Sequence, residues 1–364
     1  MTTVAVLADP PVEGVVCRDL IESTPLHAAD GVRLYEAMLT DICRAVEGSG
    51  AQLLLNYRPR EHLDLPESVS PKTRLEGVVS EAVDATLRAL VDPGDTVAVV
   101  EPAYISYVPG VTFAGGEVID VPTRAADDFK LTVDVLEDSG AAEADALVMC
   151  YPNNPTGATM TEEEYAEVAA FCRDNDLRVI ADEIYSALTY GADHASIATQ
   201  PGMRERTVVV NGFSKAYAMT GLRLGYALGP TDAIDAMNRI HQYTMLSAPT
   251  TPQYAAIEAL DRCDDEVAEM VDEYNRRRRL VVSRFNEMGL DMFEPGGAFY
   301  AFPDCGGDDE AFAEELLEAQ GVAVVPGSVF GEGGEGHLRV SYATSMRELK
   351  EATDRIAAFV EGRD

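Results

Sequence analysis

Polar side chains that could do chemistry lie at the ends of four apolar runs of the chain. Together they offer an amide, a carboxylate with a phenol three residues later, an amine and a guanidinium, supplied by Asn154, Asp182, Tyr185, Lys215 and Arg223. If the runs are neighbouring strands of a parallel sheet, their ends meet at one edge, where such sheets bind ligands. The sequence therefore predicts that these side chains share one site.

The chemistry of this set indicates a particular kind of ligand. A lysine at a buried strand end loses its charge readily, because desolvation lowers its pKa, and a neutral amine forms an imine with an aldehyde. A nearby buried carboxylate keeps a heteroaromatic nitrogen protonated, which makes the ring an electron sink. Arginine holds a phosphate through two hydrogen bonds, and asparagine and tyrosine bind a ring hydroxyl. The ligand that satisfies all these groups is pyridoxal 5'-phosphate.

Seven motifs between Val79 and Asp364 extend the pattern. In chain order they are EPAYISY, NNPTG, ADEIY, FSKAYAMTGLRLGY, GGAFYAF, PGSVFG and LRVSYA. In this order and spacing, the chain resembles the fold-type I, class I/II aminotransferases. The resemblance implies an α/β fold with a mostly parallel sheet in a large domain and a smaller C-terminal α/β domain. It also implies a homodimeric, pyridoxal phosphate-dependent amino-acid transaminase that acts on an α-amino acid and a 2-oxo acid by a ping-pong mechanism.

The resemblance implies a role for each residue that matches a motif of the family around the cofactor ring. Lys215 resembles the lysine that links covalently to the cofactor and carries the proton, and Asp182 resembles the partner of the pyridine nitrogen. Tyr185 and Asn154 resemble the pair that hydrogen-bonds the ring oxygen. Tyr104 resembles the aromatic residue that stacks on the ring.

The phosphate and the substrate have ligands of their own in this comparison. Arg223 and Ser214 match the phosphate ligands of the family. Arg339 matches the arginine that clamps the α-carboxylate of the substrate, and Asn154 is expected to contact the substrate as well.

Other motif residues are expected to be structural. Asn153 suits the turn after its strand, because asparagine tolerates turn geometry, and Tyr107 is expected in the core. Gly296 and Gly297 either let the backbone approach the ligand or bend a strand, and the sequence leaves both interpretations open.

Strands and helices that alternate along the chain must position these residues. Helical stretches separate the strand-like runs TVAVVEP, EVIDVP, ADALVMCYP, LRVIADEIY, TVVVNGF and RLGYALG. Such alternation predicts a mostly parallel sheet covered on both faces. A long charged helix from Asp264 to Met288 then leads into mixed strands and helices. We expect a large cofactor-binding domain over residues 79–262 and a small domain over residues 263–364.

Residues 1–75 depart from the family pattern. TTVAVLA and AQLLLNY are typical of buried strands, with a helix from Leu34 to Val46 between them. This order weakly resembles a small glycosyltransferase-like α/β family. The family's N-terminal arm with its G-x-P segment and its tyrosine loop are not found before Val79. Two interpretations stay open: a fusion of unrelated segments near residues 72–78, which would impair the substrate site, or a divergent arm that does the same job.

The charge of the chain excludes several function classes. It has 63 acidic and 28 basic residues and a formal net charge of -35. This field repels nucleic acids and anionic membranes. In about 1 M salt the Debye length falls to roughly 3 Å, so that the self-repulsion of the chain fades. We therefore predict an enzyme adapted to a salty cytoplasm, with an ordinary acidic protein as the alternative.

Cysteine, histidine and hydropathy patterns support a reduced, metal-free cytoplasmic protein. The six cysteines form no CxxC pair, and the five histidines have no ligand spacing. The N-terminal residues lack the basic region of a signal peptide. Lyases and decarboxylases of the same fold share the cofactor residues and remain an alternative function. So do a fused chain that binds the cofactor poorly and a sugar-transferring N-terminal segment.

Overall fold

The computed structural model describes residues 79–363 and three strands before them. These strands are β1 (Thr3–Ala8), β2 (Gln52–Tyr57) and β3 (Arg74–Glu76). Contacts divide the chain into two compact units, residues 1–70 and residues 71–364.

In the first unit, β1 and β2 form a parallel pair in which Thr3 lies opposite Gln52. These strands agree with the two strands predicted from TTVAVLA and AQLLLNY. The helix predicted from Leu34 to Val46 lies outside the described residues.

A seven-stranded sheet forms the centre of the second unit. After β3, its strands are β4 (Thr96–Glu101), β5 (Glu117–Pro122), β6 (Ala146–Cys150), β7 (Arg178–Asp182), β8 (Thr207–Gly212) and β9 (Gly225–Leu228), in the order β3-β9-β8-β7-β6-β4-β5. The strands from β4 to β8 are parallel, whereas β9 is antiparallel to both of its neighbours. The predicted α/β fold with a mostly parallel sheet is confirmed.

Helices cover both faces of this sheet. They are α1 (Val79–Leu90), α2 (Tyr107–Ala114), α3 (Val133–Asp138), α4 (Glu162–Asp174), α5 (Thr231–Thr244) and α6 (Thr250–Arg262). Side chains alternate along β4, so that Ala98 and Val100 join one hydrophobic core and Val97 and Val99 join the other. Burial on both faces explains why the strands are continuous apolar runs.

The start of α4 is encoded locally. Thr161 accepts a hydrogen bond from the backbone of Glu164, and the Glu164 side chain accepts one from the backbone of Thr161. This capping box satisfies two amides that the first turn leaves free. Three glutamates in the first turn and Arg173 in the last turn also suit the helix dipole. The helix therefore begins directly after the loop that follows β6.

The C-terminal part has a separate, antiparallel sheet. The long helix α7 (Asp264–Glu287) precedes β10 (Tyr300–Ala301), α8 (Asp309–Gln320), β11 (Val325–Pro326), β12 (Leu338–Ser341) and α9 (Met346–Glu361), and the strand order is β10-β12-β11. Phe285, Leu316 and Tyr342 lie in its own hydrophobic core. The helix predicted from Asp264 to Met288 is thus found, one residue shorter. None of the described helices is long and apolar enough to cross a membrane.

Glycines allow a close approach between the loop after β6 and the segment before β10. The Gly297 amide donates to the Gly157 carbonyl at 3.0 Å. A Cβ atom on Gly297 would lie 2.6 Å from Cβ of Pro152 and 2.9 Å from the Leu188 carbonyl oxygen. A Cβ atom on Gly296 would lie 2.3 Å from Oγ1 of Thr159. Because neither glycine has a side chain, these neighbouring protein atoms have room to approach the backbone.

We expect Gly297→Ala to destabilise the protein by about 1–3 kcal/mol, because an added methyl group overpacks this contact. Denaturant unfolding measures the change in the free energy of unfolding. Gly307→Ala is the matched control, since nothing lies within 4 Å of its added Cβ atom. Equal midpoints for the two variants would show that the contact is not tight.

Candidate active site

A cavity of about 270 Å³ opens at the carboxyl ends of the parallel strands. Its position agrees with the rule for ligand sites in parallel α/β sheets. All eight residues predicted for the site line it, namely Tyr104, Asn154, Asp182, Tyr185, Ser214, Lys215, Arg223 and Arg339. Five further residues that sequence reasoning did not assign to the site complete the lining: Tyr107, Cys150, Ile184, Thr220 and Tyr300.

Asp182 is a buried carboxylate at the end of β7, with 4% of its surface exposed. One oxygen accepts a hydrogen bond from the Tyr107 hydroxyl at 2.7 Å, and the other accepts one from the Ile184 amide at 3.1 Å. Burial raises the pKa of Asp182 to about 6, although both hydrogen bonds act to lower it. An ionised Asp182 therefore favours a cationic group in the cavity.

The sequence predicted the burial of Tyr107 but not its hydrogen bond to Asp182. It is 1% exposed and packs in the core, as expected. Its hydroxyl nevertheless points to Asp182, which is 75 positions further along the chain. A tyrosine in an apolar context carries no local signal for such a distant partner.

Lys215 follows β8 and is half-buried. Burial lowers the pKa of its amine, and the charges of Arg223 and Arg339 lower it further, whereas Asp182 raises it. The nitrogen lies 5.8 Å from the centre of the Tyr185 ring. The lowered pKa increases the share of the neutral amine, which is the nucleophilic form.

Arg223 enters the site from a strained backbone. Its φ of 57° and ψ of 58° lie in the left-handed region, which is unfavourable for residues other than glycine. The guanidinium donates to the Thr220 carbonyl at 2.8 Å, and the Thr220 hydroxyl donates to the Ser214 carbonyl at 2.6 Å. These contacts connect three polar residues of the cavity lining and hold Arg223 in place.

Arg339 extends from the antiparallel sheet into the cavity. It lies on β12, and its guanidinium donates to the Asn154 side-chain oxygen at 2.9 Å. The guanidinium also lies over the rings of Phe330 and Tyr300, at 4.7 and 5.0 Å from their centres. The Tyr300 hydroxyl is 2.9 Å from that of Tyr185. Residues of two separate sheets thus meet in one network.

Asn153 serves the turn after β6, as predicted. Its amide nitrogen donates to the carbonyls of Pro102 and Cys150, both at 3.2 Å. Its side-chain oxygen accepts from the amide and the hydroxyl of Thr156. The neighbouring Asn154 is thereby left to face the cavity.

The donor set of the cavity fits pyridoxal phosphate. Asp182 is an anionic acceptor for a protonated ring nitrogen, and Lys215 is an amine biased toward its neutral form. Arg223 supplies a cation for a phosphate, and Tyr185 and Asn154 supply groups for a ring oxygen. The residues present therefore satisfy each functional group of this cofactor.

Comparison with known proteins supports the same conclusion. A model of the family "Aminotransferase class I and II" matches residues 76–356. The chain is 48% identical over 298 residues to a putative aminotransferase, YugH, of Bacillus subtilis, covering 80% of this chain and 77% of that one. It is 45% identical over 276 residues to an aspartate aminotransferase of Pyrococcus abyssi, covering 74% and 71%.

A solved structure shows the same architecture. The aromatic aminotransferase from Pyrococcus horikoshii is similar to this chain with a TM-score of 0.78 and 43% identity, over 80% of this chain and 79% of that chain. The fold and the cavity define a fold-type I, pyridoxal phosphate-dependent enzyme. The chain belongs to the aminotransferase class I and II family, and it is an amino-acid transaminase.

We expect Tyr107→Phe to weaken the binding of pyridoxal phosphate about tenfold near pH 6.5, the scale of one lost hydrogen bond to a charged group. Losing the hydroxyl raises the pKa of Asp182 further, so that less of the carboxylate is ionised at that pH. The deficit narrows toward pH 8.5, where Asp182 is ionised in both proteins. Absorbance titration with the cofactor measures both values.

Tyr151→Phe is the control for this variant. Its hydroxyl is also buried and donates to the Phe129 carbonyl at 2.9 Å, but Tyr151 does not line the cavity. The same pH-dependent deficit in Tyr151→Phe would contradict a specific action of Tyr107 on Asp182.

Proposed function

We propose that this cavity transfers an amino group from an α-amino acid to a 2-oxo acid, with the residues that line it in distinct roles. The convergence of an amine, a buried carboxylate and two guanidinium groups on one cavity supports this proposal. When bound, pyridoxal phosphate supplies the aldehyde that accepts the amino group and the ring that delocalises the electron pair left by the departing α-proton.

Lys215 would hold the aldehyde carbon of the cofactor and move the α-proton of the substrate. The lowered pKa of its amine increases the share of the neutral form, which would attack a carbonyl carbon with loss of water. Once the amino group of the substrate has replaced it on that carbon, the freed amine would act as a general base at the α-carbon. Asp182 would keep the ring nitrogen protonated, because a buried carboxylate favours a positive charge beside it. Asp182 would thus stabilise the charge on the ring, and Lys215 would transfer the proton.

The remaining residues bind and orient. Arg223 and Ser214 would bind the phosphate. We assign Thr220 to the same part of the site, because it is hydrogen-bonded to both of these residues. Tyr185 and Asn154 hydrogen-bond the ring oxygen, while Tyr104 covers the ring face.

Arg339 binds the α-carboxylate of the substrate. Its guanidinium is already oriented by the Asn154 oxygen and by the faces of Tyr300 and Phe330. This pre-orientation reduces the entropy lost when a carboxylate binds. Asn154 contacts the substrate from the same place, because its side-chain oxygen touches Arg339.

We further propose that the protein acts as a homodimer. Large apolar side chains remain exposed near α2 and at the end of α5, with exposed fractions of 70% for Phe113, 90% for Tyr243 and 82% for Leu246. Covering such side chains removes apolar surface from water and favours association.

We also propose a cytoplasmic protein that works at high salt, in which residues 1–75, 79–262 and 263–364 form three parts. The net charge of -35 supports the salt adaptation. The division of the chain after Ser70 and the start of the family match at residue 76 support a separate N-terminal segment.

Borohydride reduction in the presence of pyridoxal phosphate tests the role of Lys215. We expect one labelled peptide, which contains Lys215, and an absorbance band that is lost in Lys215→Ala. Lys130→Arg is the control, because Lys130 pairs with Glu164 at 2.7 Å away from the cavity. A labelled Lys130 peptide, or a coloured Lys215→Ala protein, would overturn the assignment.

An amino-donor screen with 2-oxoglutarate tests the proposed function. Aromatic and acidic amino acids are both included, since relatives are named for each. We expect parallel double-reciprocal lines, the pattern of a ping-pong mechanism. Activity should rise at least severalfold from 0.1 M to about 1 M KCl as the charges are screened. Absence of turnover with every donor at high salt would contradict the proposal.

A further inference from the structure

Glu101 is a buried carboxylate that the proposed mechanism does not use. It is the last residue of β4, with 5% of its surface exposed. One of its oxygens accepts a hydrogen bond from the Glu332 amide at 2.8 Å. Glu332 begins a short 3-10 helix between β11 and β12. A side chain of the parallel sheet thus binds the backbone of the segment that connects β11 and β12 of the antiparallel sheet.

The segment Phe330–Gly334, which we call the clasp, is built around this carboxylate. A Cβ atom on Gly331 would lie 2.1 Å from Cδ of Glu101, and the φ of Gly331 is +107°. A Cβ atom on Gly333 would lie 2.8 Å from the Thr123 carbonyl oxygen. Only glycine fits at these places. The Phe330 carbonyl accepts a further hydrogen bond from the Ala103 amide at 2.8 Å.

The clasp contacts Arg339, the residue proposed to bind the substrate carboxylate. Phe330 is its first residue and is 3% exposed. The Arg339 guanidinium lies 4.7 Å from the centre of the Phe330 ring. A shift of the clasp away from β4 would therefore move the surface on which Arg339 rests.

We propose that Glu101 is a positioning residue for the binding of the substrate carboxylate, because it holds the clasp closed and so fixes Phe330 beneath Arg339. The proposal rests on the role of Arg339 in the proposed function. It assigns to Glu101 no contact with substrate or cofactor.

The charges around Glu101 give the clasp a pH dependence. Burial raises the pKa of Glu101 to about 7, and the negative charges of Asp120 on β5 and of Glu332 add to this effect, whereas the amides of Glu332 and Gly333 oppose it. The side chain of Glu332 is itself paired with Arg124 at 2.6 Å. The closed clasp therefore prefers the protonated acid.

The direction of the pH effect follows from this preference. An open clasp exposes Glu101 to water, where its pKa returns to about 4.5. Below about pH 4.5, protonation of Glu101 stabilises the closed clasp fully. This stabilisation is lost progressively as the pH rises to about 7, and the stability of the clasp does not change further above that pH.

Steady-state kinetics of Glu101→Gln and Glu101→Ala from pH 5 to pH 8.5 test the proposal. Gln mimics the protonated acid, so we expect the ratio of the wild-type KM for the 2-oxo acid to that of Glu101→Gln to rise about tenfold toward pH 7 and then level off. Glu101→Ala lacks the titrating group, so its KM should exceed the wild-type value about tenfold at pH 5 and by less as the wild-type clasp weakens toward pH 7, with kcat within about twofold of wild type. Glu117→Gln, at the exposed opposite end of β5, is the control.

Hydrogen-exchange mass spectrometry of the same holoenzymes supplies a readout that does not depend on turnover. At pH 5, where wild-type Glu101 is protonated, we expect the amides of residues 330–334 to exchange at least tenfold faster in Glu101→Ala than in wild type and at wild-type rates in Glu101→Gln. Unchanged exchange in Glu101→Ala, or a KM ratio that does not vary with pH, would overturn the proposal for Glu101. An inactive wild-type protein would instead contradict the proposed function.

Discussion

The structure depends on the desolvation of opposite charges within one small cavity. Burial pushes the pKa of Asp182 up to about 6 and the pKa of Lys215 down, so each group is less stable in its charged form than it is in water. Because the folded pKa of Asp182 lies above its ordinary value, its ionised form costs stability that returns as the pH falls through about 6. A cation beside the carboxylate removes that cost. The site is thus electrostatically incomplete by itself and selects a ligand that completes it.

The parallel sheet makes this arrangement possible because its strands are fixed on both faces. Val97 and Val99 of β4 pack into one core and Ala98 and Val100 into the other, which leaves only the strand ends free to carry polar groups. Asp182 stands at one such end. Rigid strands hold a buried carboxylate where a flexible loop would let it turn toward water. The strained backbone of Arg223 belongs to the same pattern, since strain persists only where the surroundings hold it.

The substrate side of the site is assembled from two hydrophobic cores. Arg339 and Tyr300 belong to the antiparallel sheet, whereas Asn154 and Tyr185 follow strands of the parallel sheet. Carboxylate binding is therefore sensitive to how the two sheets contact each other. The proposed role of Glu101 follows from this architecture, because its carboxylate links β4 directly to the connection that precedes β12.

The apolar runs and the polar residues that follow them were enough to predict the strands, their burial on both faces and five residues of the cavity lining, because each of these is recorded locally. The five are Asn154, Asp182, Tyr185, Lys215 and Arg223, and the resemblance to the family added Tyr104, Ser214 and Arg339. The family follows from the same local motifs. The Tyr107 hydroxyl on Asp182, the place of Tyr300 and the contact of Glu101 with the clasp were decided only by the tertiary structure. Glu101 and Glu332 are 231 positions apart, and Tyr107 and Asp182 are 75 apart. Periodicity reports which face of its own element a residue occupies, and it contains no information about which distant group packing will bring opposite that face.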